Sequence, residues 1–126
     1  MMRVDRLSLM VAAIFGSLAS IAPSNAQTAP AAPPAFAACR ACHNVQKDGK
    51  NGIGPNLYGV VDRPAASLPG FNYSSALKAT KLRWDEKALD EFLAAPMKKV
   101  PGTRMPIAMP DAAKRAAIIA YLKSTK

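Results

Sequence analysis

The chain is short of the residues most catalytic sites are built from: it has one histidine and two cysteines in 126 residues. Two cysteines cannot frame a disulfide-held scaffold. A lone histidine leaves a Ser–His–Asp enzyme open only if that imidazole serves nothing else. Aromatics make up 6% of the sequence, and acids are outnumbered 8 to 17 by Lys and Arg, giving a net charge of +9. Charged residues total 20%, which excludes wholesale disorder. No stretch alternates apolar and polar convincingly, so strands are not expected, and no internal repeat is present. What the sequence has in quantity is proline, with 11 residues, and hydrophobic residues, at 50%. The length suits one domain.

Residues 1–26 read as an address. Arg3 and Arg6 give a positive start, Leu7 to Ile21 form an apolar run, and Pro23 precedes the small triplet Ser24-Asn25-Ala26. That order predicts a secretory signal peptide cut after Ala26, and hence a periplasmic protein. The alternative is a retained anchor, but the run falls short of the roughly 20 residues a spanning helix needs. Cleavage would remove Arg3, Asp5 and Arg6 and leave a net charge of +8. No later segment is apolar enough to span a membrane. Such a short mature chain, rich in proline, points to a cofactor or metal completing its core.

Residues 27–35 form an Ala/Pro stretch expected to be a flexible tail, and residues 36–126 the domain. Within the domain, Phe36 to Asn44 is expected to make a short helix after Pro33-Pro34. Asp48 to Gly59 and Arg63 to Gly70 are dense in turn formers and read as loops. Tyr73 to Thr80 allows one or two helical turns. Trp84 to Ala95 is a helix with Ala88, Leu89, Phe92 and Leu93 on one face, acids at its start and Pro96 as its stop. Pro101 to Pro110 is a stiff loop. Asp111 to Lys123 is the last helix, with Ala117, Ile118, Tyr121 and Leu122 set toward the core. The expected fold class is all-α: three or four short helices joined by loops long enough to wrap around something.

Cys39-Arg40-Ala41-Cys42-His43 is the strongest motif, Cys-x-x-Cys-His, the attachment signature of c-type haem. On a helical turn, residues three apart share a face, so both sulfurs can reach one porphyrin edge while His43 is aimed at the iron. Three other uses of these residues stay open. A thioredoxin-type disulfide would need a strand–helix frame that the sequence lacks. Zinc would need a fourth ligand from elsewhere. A plain structural disulfide suits an oxidising compartment. For a second axial ligand, the mature chain offers Met97, Met105 and Met109. A thioether favours ferrous iron and raises the potential. Met105, in the Pro101-Gly102-Thr103-Arg104-Met105-Pro106 loop, is favoured, with Met109 next.

Together with Gly54-Pro55-Asn56-Leu57-Tyr58-Gly59, Gly70-Phe71-Asn72-Tyr73, Trp84 and Ile119-Ala120-Tyr121-Leu122, these segments resemble class I cytochrome c, of the mitochondrial type and its bacterial relatives. The resemblance spans nearly all of residues 36–124. It implies the small cytochrome c fold around one covalent haem c, carried by Cys39 and Cys42, with His43 and Met105 as axial ligands. It further implies that the Pro55 carbonyl accepts the other imidazole N–H. Tyr73 and Trp84 would hydrogen-bond one propionate, Arg63 would offset its charge, and Thr103 would lie near the other. Phe36 would meet Tyr121 where the first and last helices cross. Two positions depart from the family: Phe92 stands where a Tyr usually donates to the Met sulfur, and Leu77 where an Asn often joins a buried water network. Both predict a drier pocket and an altered potential. Ala32, Pro33 and Pro34 also truncate the first helix, which predicts a smaller crossing.

The expected function is a monomeric electron carrier rather than an enzyme, with no membrane span after signal cleavage. Arg40, Lys47, Lys50, Lys78, Lys98, Lys99 and Arg104 cluster in sequence around the motif loops. A basic rim suits acidic redox partners and not nucleic acid, which an exported protein rarely meets. The resemblance implies a quinol-oxidising complex, a terminal oxidase or reductase, or a periplasmic dehydrogenase as partners. One alternative is a dedicated electron-accepting subunit of such a dehydrogenase. Others are a five-coordinate haem with peroxidase or gas-binding activity, and a haem-free thiol protein.

Overall fold

The computed structural model describes residues 30–126. The expected signal peptide lies outside the described residues. Pro34–Phe36 forms a single 3-10 turn that runs straight into α1, Ala37–Arg40. The fixed φ of Pro33 and Pro34 suits the entry to a first turn and excludes earlier helix on the same axis. The first helix is therefore as short as the prolines predict. Ala32 and Ala35 already pack on the core, so close packing begins just ahead of Phe36.

Two later helices start where a carboxylate caps them. Asp85 accepts from the Ala88 backbone N–H and opens α3, Glu86–Ala94; Asp111 accepts from Lys114 N–H and opens α5, Ala112–Ser124. Ser74 does the same from Leu77 N–H for α2, Ser75–Ala79. In each, the side-chain oxygen satisfies one of the N–H groups that a first helical turn leaves unpaired. Pro96 ends α3 as expected. It also starts a further short turn, α4 (Pro96–Lys99), because proline is as good at a first position as it is bad inside. Among the described residues there is no strand, only one isolated bridge between Pro64 and Arg83.

α3 and α5 pack against each other, and α5 crosses the N-terminal turn. The core sits at these two contacts. Phe36 and Ile118 are almost fully buried, joined by Leu89, Phe92, Leu93, Val100, Ile119 and Leu122. Phe36 meets Tyr121 edge-on with ring centroids 4.8 Å apart. The facing of α5 differs from expectation at one residue: Ala117 is exposed, and Ile119 is buried in its place. α5 serves two partners, so its buried stripe takes the adjacent pair Ile118 and Ile119 with Leu122, and turns Ala117 outward.

Everything else is loop, and the loops are laced by backbone hydrogen bonds. Asp62 N–H donates to Trp84 O at 2.8 Å, Trp84 N–H to Arg63 O at 2.9 Å, and Ala65 N–H to Leu82 O at 2.8 Å. This pairing sets Arg63 beside Trp84. The chain from 42 to 57 is tied by Gly54 N–H to Cys42 O at 2.9 Å and Leu57 N–H to Asn44 O at 2.7 Å. Met109 N–H donates to Leu93 O at 2.7 Å and pins the last loop to α3.

Candidate functional site, an apolar crevice behind the Cys-x-x-Cys-His turn

The loops enclose a crevice of about 550 Å³. That is within the range of sites that bury a sizeable organic ligand. One wall carries Cys39, Cys42 and His43, and another the loop with Thr103, Met105 and Met109. Tyr73, Trp84 and Arg63 border it, and Leu57, Leu77, Leu89 and Phe92 supply apolar lining. Each sequence-predicted site residue therefore borders one cavity. Met97 does not: it lies on α4 with half its surface exposed.

The Cys-x-x-Cys-His segment ends α1 in a tight turn. Cys42 N–H and His43 N–H both donate to Cys39 O, at 3.1 and 2.9 Å. The two thiols are unpaired and half-buried, with no bond between them. Burial, and secondarily the neighbouring Cys42, pushes the Cys39 thiol above its ordinary pKa. No group of three or more His, Cys, Asp or Glu side chains that could hold a metal ion is present among the described residues.

His43 Nδ1 lies 2.7 Å from the Pro55 carbonyl oxygen. A carbonyl can only accept, so Nδ1 carries the proton and Nε2 of the neutral ring keeps its lone pair. Burial lowers the His43 pKa, partly countered by that bond, and so favours the neutral ring. Gly54 packs against the ring so closely that a Cβ there would meet His43 Cε1 at 2.3 Å. The spacing of the motif did not reveal this role for Gly54.

On the far rim, the Arg63 guanidinium donates to Tyr58 O and Asn56 O, each at 3.1 Å. It has no acidic partner among the described residues, and desolvation lowers its pKa. A half-buried cation without an acidic partner fits an anion brought by the ligand. The Tyr73 hydroxyl accepts from Leu68 N–H at 3.2 Å, which leaves its own proton to give. The Trp84 indole N–H donates to no group among the described residues, and although the residue is 7% exposed its nitrogen is not sealed off. Thr103 is buried, and its hydroxyl accepts from Met105 N–H at 3.3 Å, stiffening the loop. Phe92 lies against Trp84 with centroids 5.0 Å apart. The donor set therefore fits haem: two thiols, one imidazole with a free lone pair, two thioethers, an apolar wall, and a cation with spare donors on one side.

Asn56 is a hub that the sequence motif named without a role. Its amide donates to Gln46 O at 2.9 Å and Gly49 O at 2.8 Å, and its Oδ1 accepts from Tyr58 N–H at 2.8 Å. A run so dense in Asn, Asp and Gly was readable as turn, but not as a fixed support for His43. At the crevice mouth, Ile53 is 82% and Ile107 52% exposed.

The acids of α3 are matched locally. Glu86 pairs with Lys123, Asp90 with Arg115, and Glu91 with Lys87 and Lys99. Lys99 thus belongs to the α3 face, while Arg40, Lys47, Lys50, Lys78, Lys98 and Arg104 make no ion pair among the described residues.

Residues 31–126 match the family model described as Cytochrome c. A "Cytochrome c2 iso-2" of Magnetospirillum fulvum is 49% identical over 94 residues, covering 74% of this chain and 97% of that protein. A "Cytochrome c2" of Rhodoblastus acidophilus is 47% identical over 92 residues, covering 72% and 86%. Among solved structures, cytochrome cH from Methylobacterium extorquens superposes with a TM-score of 0.67 at 49% identity, covering 71% of this chain and 91% of the other.

Proposed function

Given that the chain belongs to the cytochrome c family, and so carries one covalent haem c and transfers electrons without transforming a substrate, we propose that it is a soluble periplasmic carrier. It shuttles single electrons between larger redox proteins. Cys39 and Cys42 would form the thioethers, and His43 and Met105 would be the axial ligands. The observation that carries the ligand assignment is the His43–Pro55 bond, which leaves Nε2 as the ring's donor atom inside the crevice wall.

The haem supplies a one-electron couple; the chain's residues set its surroundings. His43 is held in one tautomer by Pro55. Tyr73 and Trp84 would donate hydrogen bonds to one propionate, Arg63 would offset its charge, and Thr103 would stand near the other. The apolar wall excludes water, so little has to reorganise when the charge on the site changes. With both axial positions held by the chain, peroxide or a gas would first have to displace Met105.

Segregated charge supports the choice of partners. The α3 acids are neutralised at close range, which leaves the exposed cations around the crevice loops uncompensated. Acidic partners, such as a quinol-oxidising complex, a terminal oxidase or reductase, or a periplasmic dehydrogenase, would be steered to that side. Residues 1–26 act as the export signal, and residues 27–35 lead into the domain. A test is to produce the whole chain in a bacterium with haem-attachment machinery. The account expects a red periplasmic protein that begins at Gln27 and titrates with one electron. Red protein found in the membrane fraction with residues 1–26 intact would contradict the carrier's free diffusion.

A further inference from the structure

We infer that Asn51 tunes the haem iron through the peptide unit that joins Pro55 to Asn56. The inference rests on His43 being an axial ligand, as proposed above. The Pro55 carbonyl and the Asn56 N–H belong to one planar, conjugated amide. At one end the carbonyl oxygen accepts from His43 Nδ1 at 2.7 Å. At the other the N–H donates to Asn51 Oδ1 at 2.8 Å. The result is a continuous chain from the Asn51 amide oxygen, through one peptide, to the imidazole.

Hydrogen bonds in series polarise one another, by roughly 10–30% per bond. The Asn51 oxygen draws on the Asn56 N–H and shifts electron density onto the Pro55 oxygen. A more negative Pro55 oxygen holds the His43 proton more tightly and makes the ring a stronger donor at Nε2. A stronger donor favours ferric iron, so Asn51 lowers the midpoint potential.

The surroundings separate this effect from loop shape. Asn56 is 6% exposed, and Asn51, Pro55 and His43 are half-buried, so the relay is partly shielded from water. The loop is also tied without Asn51. The Asn56 side chain makes three bonds of its own, to Gln46, Gly49 and Tyr58. Leu57 N–H is fixed to Asn44 O. Replacing Asn51 by the similarly sized Leu removes an acceptor and leaves these ties in place.

The test uses holoprotein carrying Asn51→Leu or Asn51→Asp. Two quantities are measured: the midpoint potential and the shift of the His43 Nδ1–H resonance in the ferrous state. For Asn51→Leu the potential should rise. The ferrous-to-ferric ratio at fixed ambient potential should grow by up to about two-fold, the order that strengthening one bond by such a fraction can supply. The Nδ1–H resonance should move upfield as its bond weakens. Asn51→Asp should do the opposite in both, and it carries the test alone if Asn51→Leu does not accumulate with haem. An unchanged Nδ1–H resonance overturns the relay, even where the potential moves, since added charge alone would do that. If the wild-type protein shows no histidine ring shifted by the haem, it is the ligand assignment that fails, before any variant is read.

Discussion

At the scale of single residues, the crevice is set by close fits around His43. Gly54 leaves no room for a side chain: a Cβ would lie 2.3 Å from Cε1 and 2.6 Å from Nδ1. The ring would have to move and lose Pro55. Gly54→Ala should therefore cost about 3 kcal/mol, the upper part of the usual range for overpacking, measured by denaturant unfolding of the holoprotein. A change of a few tenths of a kcal/mol would show that the ring can yield. Phe92 is a second residue whose identity matters. It is buried beside Trp84 in the crevice lining, where the family usually has a hydroxyl. Phe92→Tyr returns a donor to an otherwise apolar wall and should shift the midpoint potential. A titration curve that overlays the wild type would contradict the dry-pocket account. Cys39, Cys42, His43 and Met105 were legible because their chemistry is rare in this chain. Asn51, Gly54 and Asn56 were not, because Asn and Gly signal a turn whether or not the turn supports a ligand.

At the scale of elements, helix starts were legible to within two residues, since capping side chains and prolines act locally. Asp85 and Asp111 each hold a backbone N–H three residues on. The short α4 was not legible, because Pro96 reads first as a stop. Nor was the outward turn of Ala117, which depends on α5 serving two partners at once. Cap chemistry also gives a pH signature. The Asp111 carboxylate is held below its ordinary pKa, chiefly by the backbone N–H of Lys114. A depressed folded pKa gives stability that is present above the unfolded value and is lost as pH falls through the folded one. Asp111→Asn keeps an acceptor oxygen but cannot titrate. The wild type's margin over Asp111→Asn should hold steady above about pH 5, begin to fall near the ordinary Asp value of about 3.9, and vanish only below the depressed folded pKa. Thermal melts of both proteins across that range measure it. A margin that persists at the lowest pH would contradict the assignment.

At the scale of the whole molecule, two small contacts and one cofactor hold a chain that is mostly loop. The crossing of the N-terminal turn over α5 is short because of Pro33 and Pro34, and it centres on Phe36, which has no exposed surface. Phe36→Ala should cost about 3–5 kcal/mol in the holoprotein. A calorimetric loss under 1 kcal/mol would mean that the crossing contributes little and the haem holds the fold alone. The same architecture divides the charge. Glu86, Asp90 and Glu91 are paired on α3, while Arg40, Lys47, Lys50, Lys78, Lys98 and Arg104 are exposed and make no ion pair among the described residues. Family and fold were readable from the sequence because the motifs occur in order along nearly all of residues 36–124. The division of charge was only partly readable: Lys99 seemed to belong with the crevice cations, and the fold pairs it with Glu91.

The central claim is that His43 and Met105 together close the iron's coordination. The visible spectrum tests it most directly, with ferric and ferrous holoprotein compared for the wild type, Met105→Ala and Met109→Ala. The account predicts sharp low-spin ferrous bands and the weak far-red ferric band of methionine ligation in the wild type and in Met109→Ala, with the far-red band lost in Met105→Ala. A far-red band that survives Met105→Ala, or a high-spin wild type that binds carbon monoxide, would contradict it.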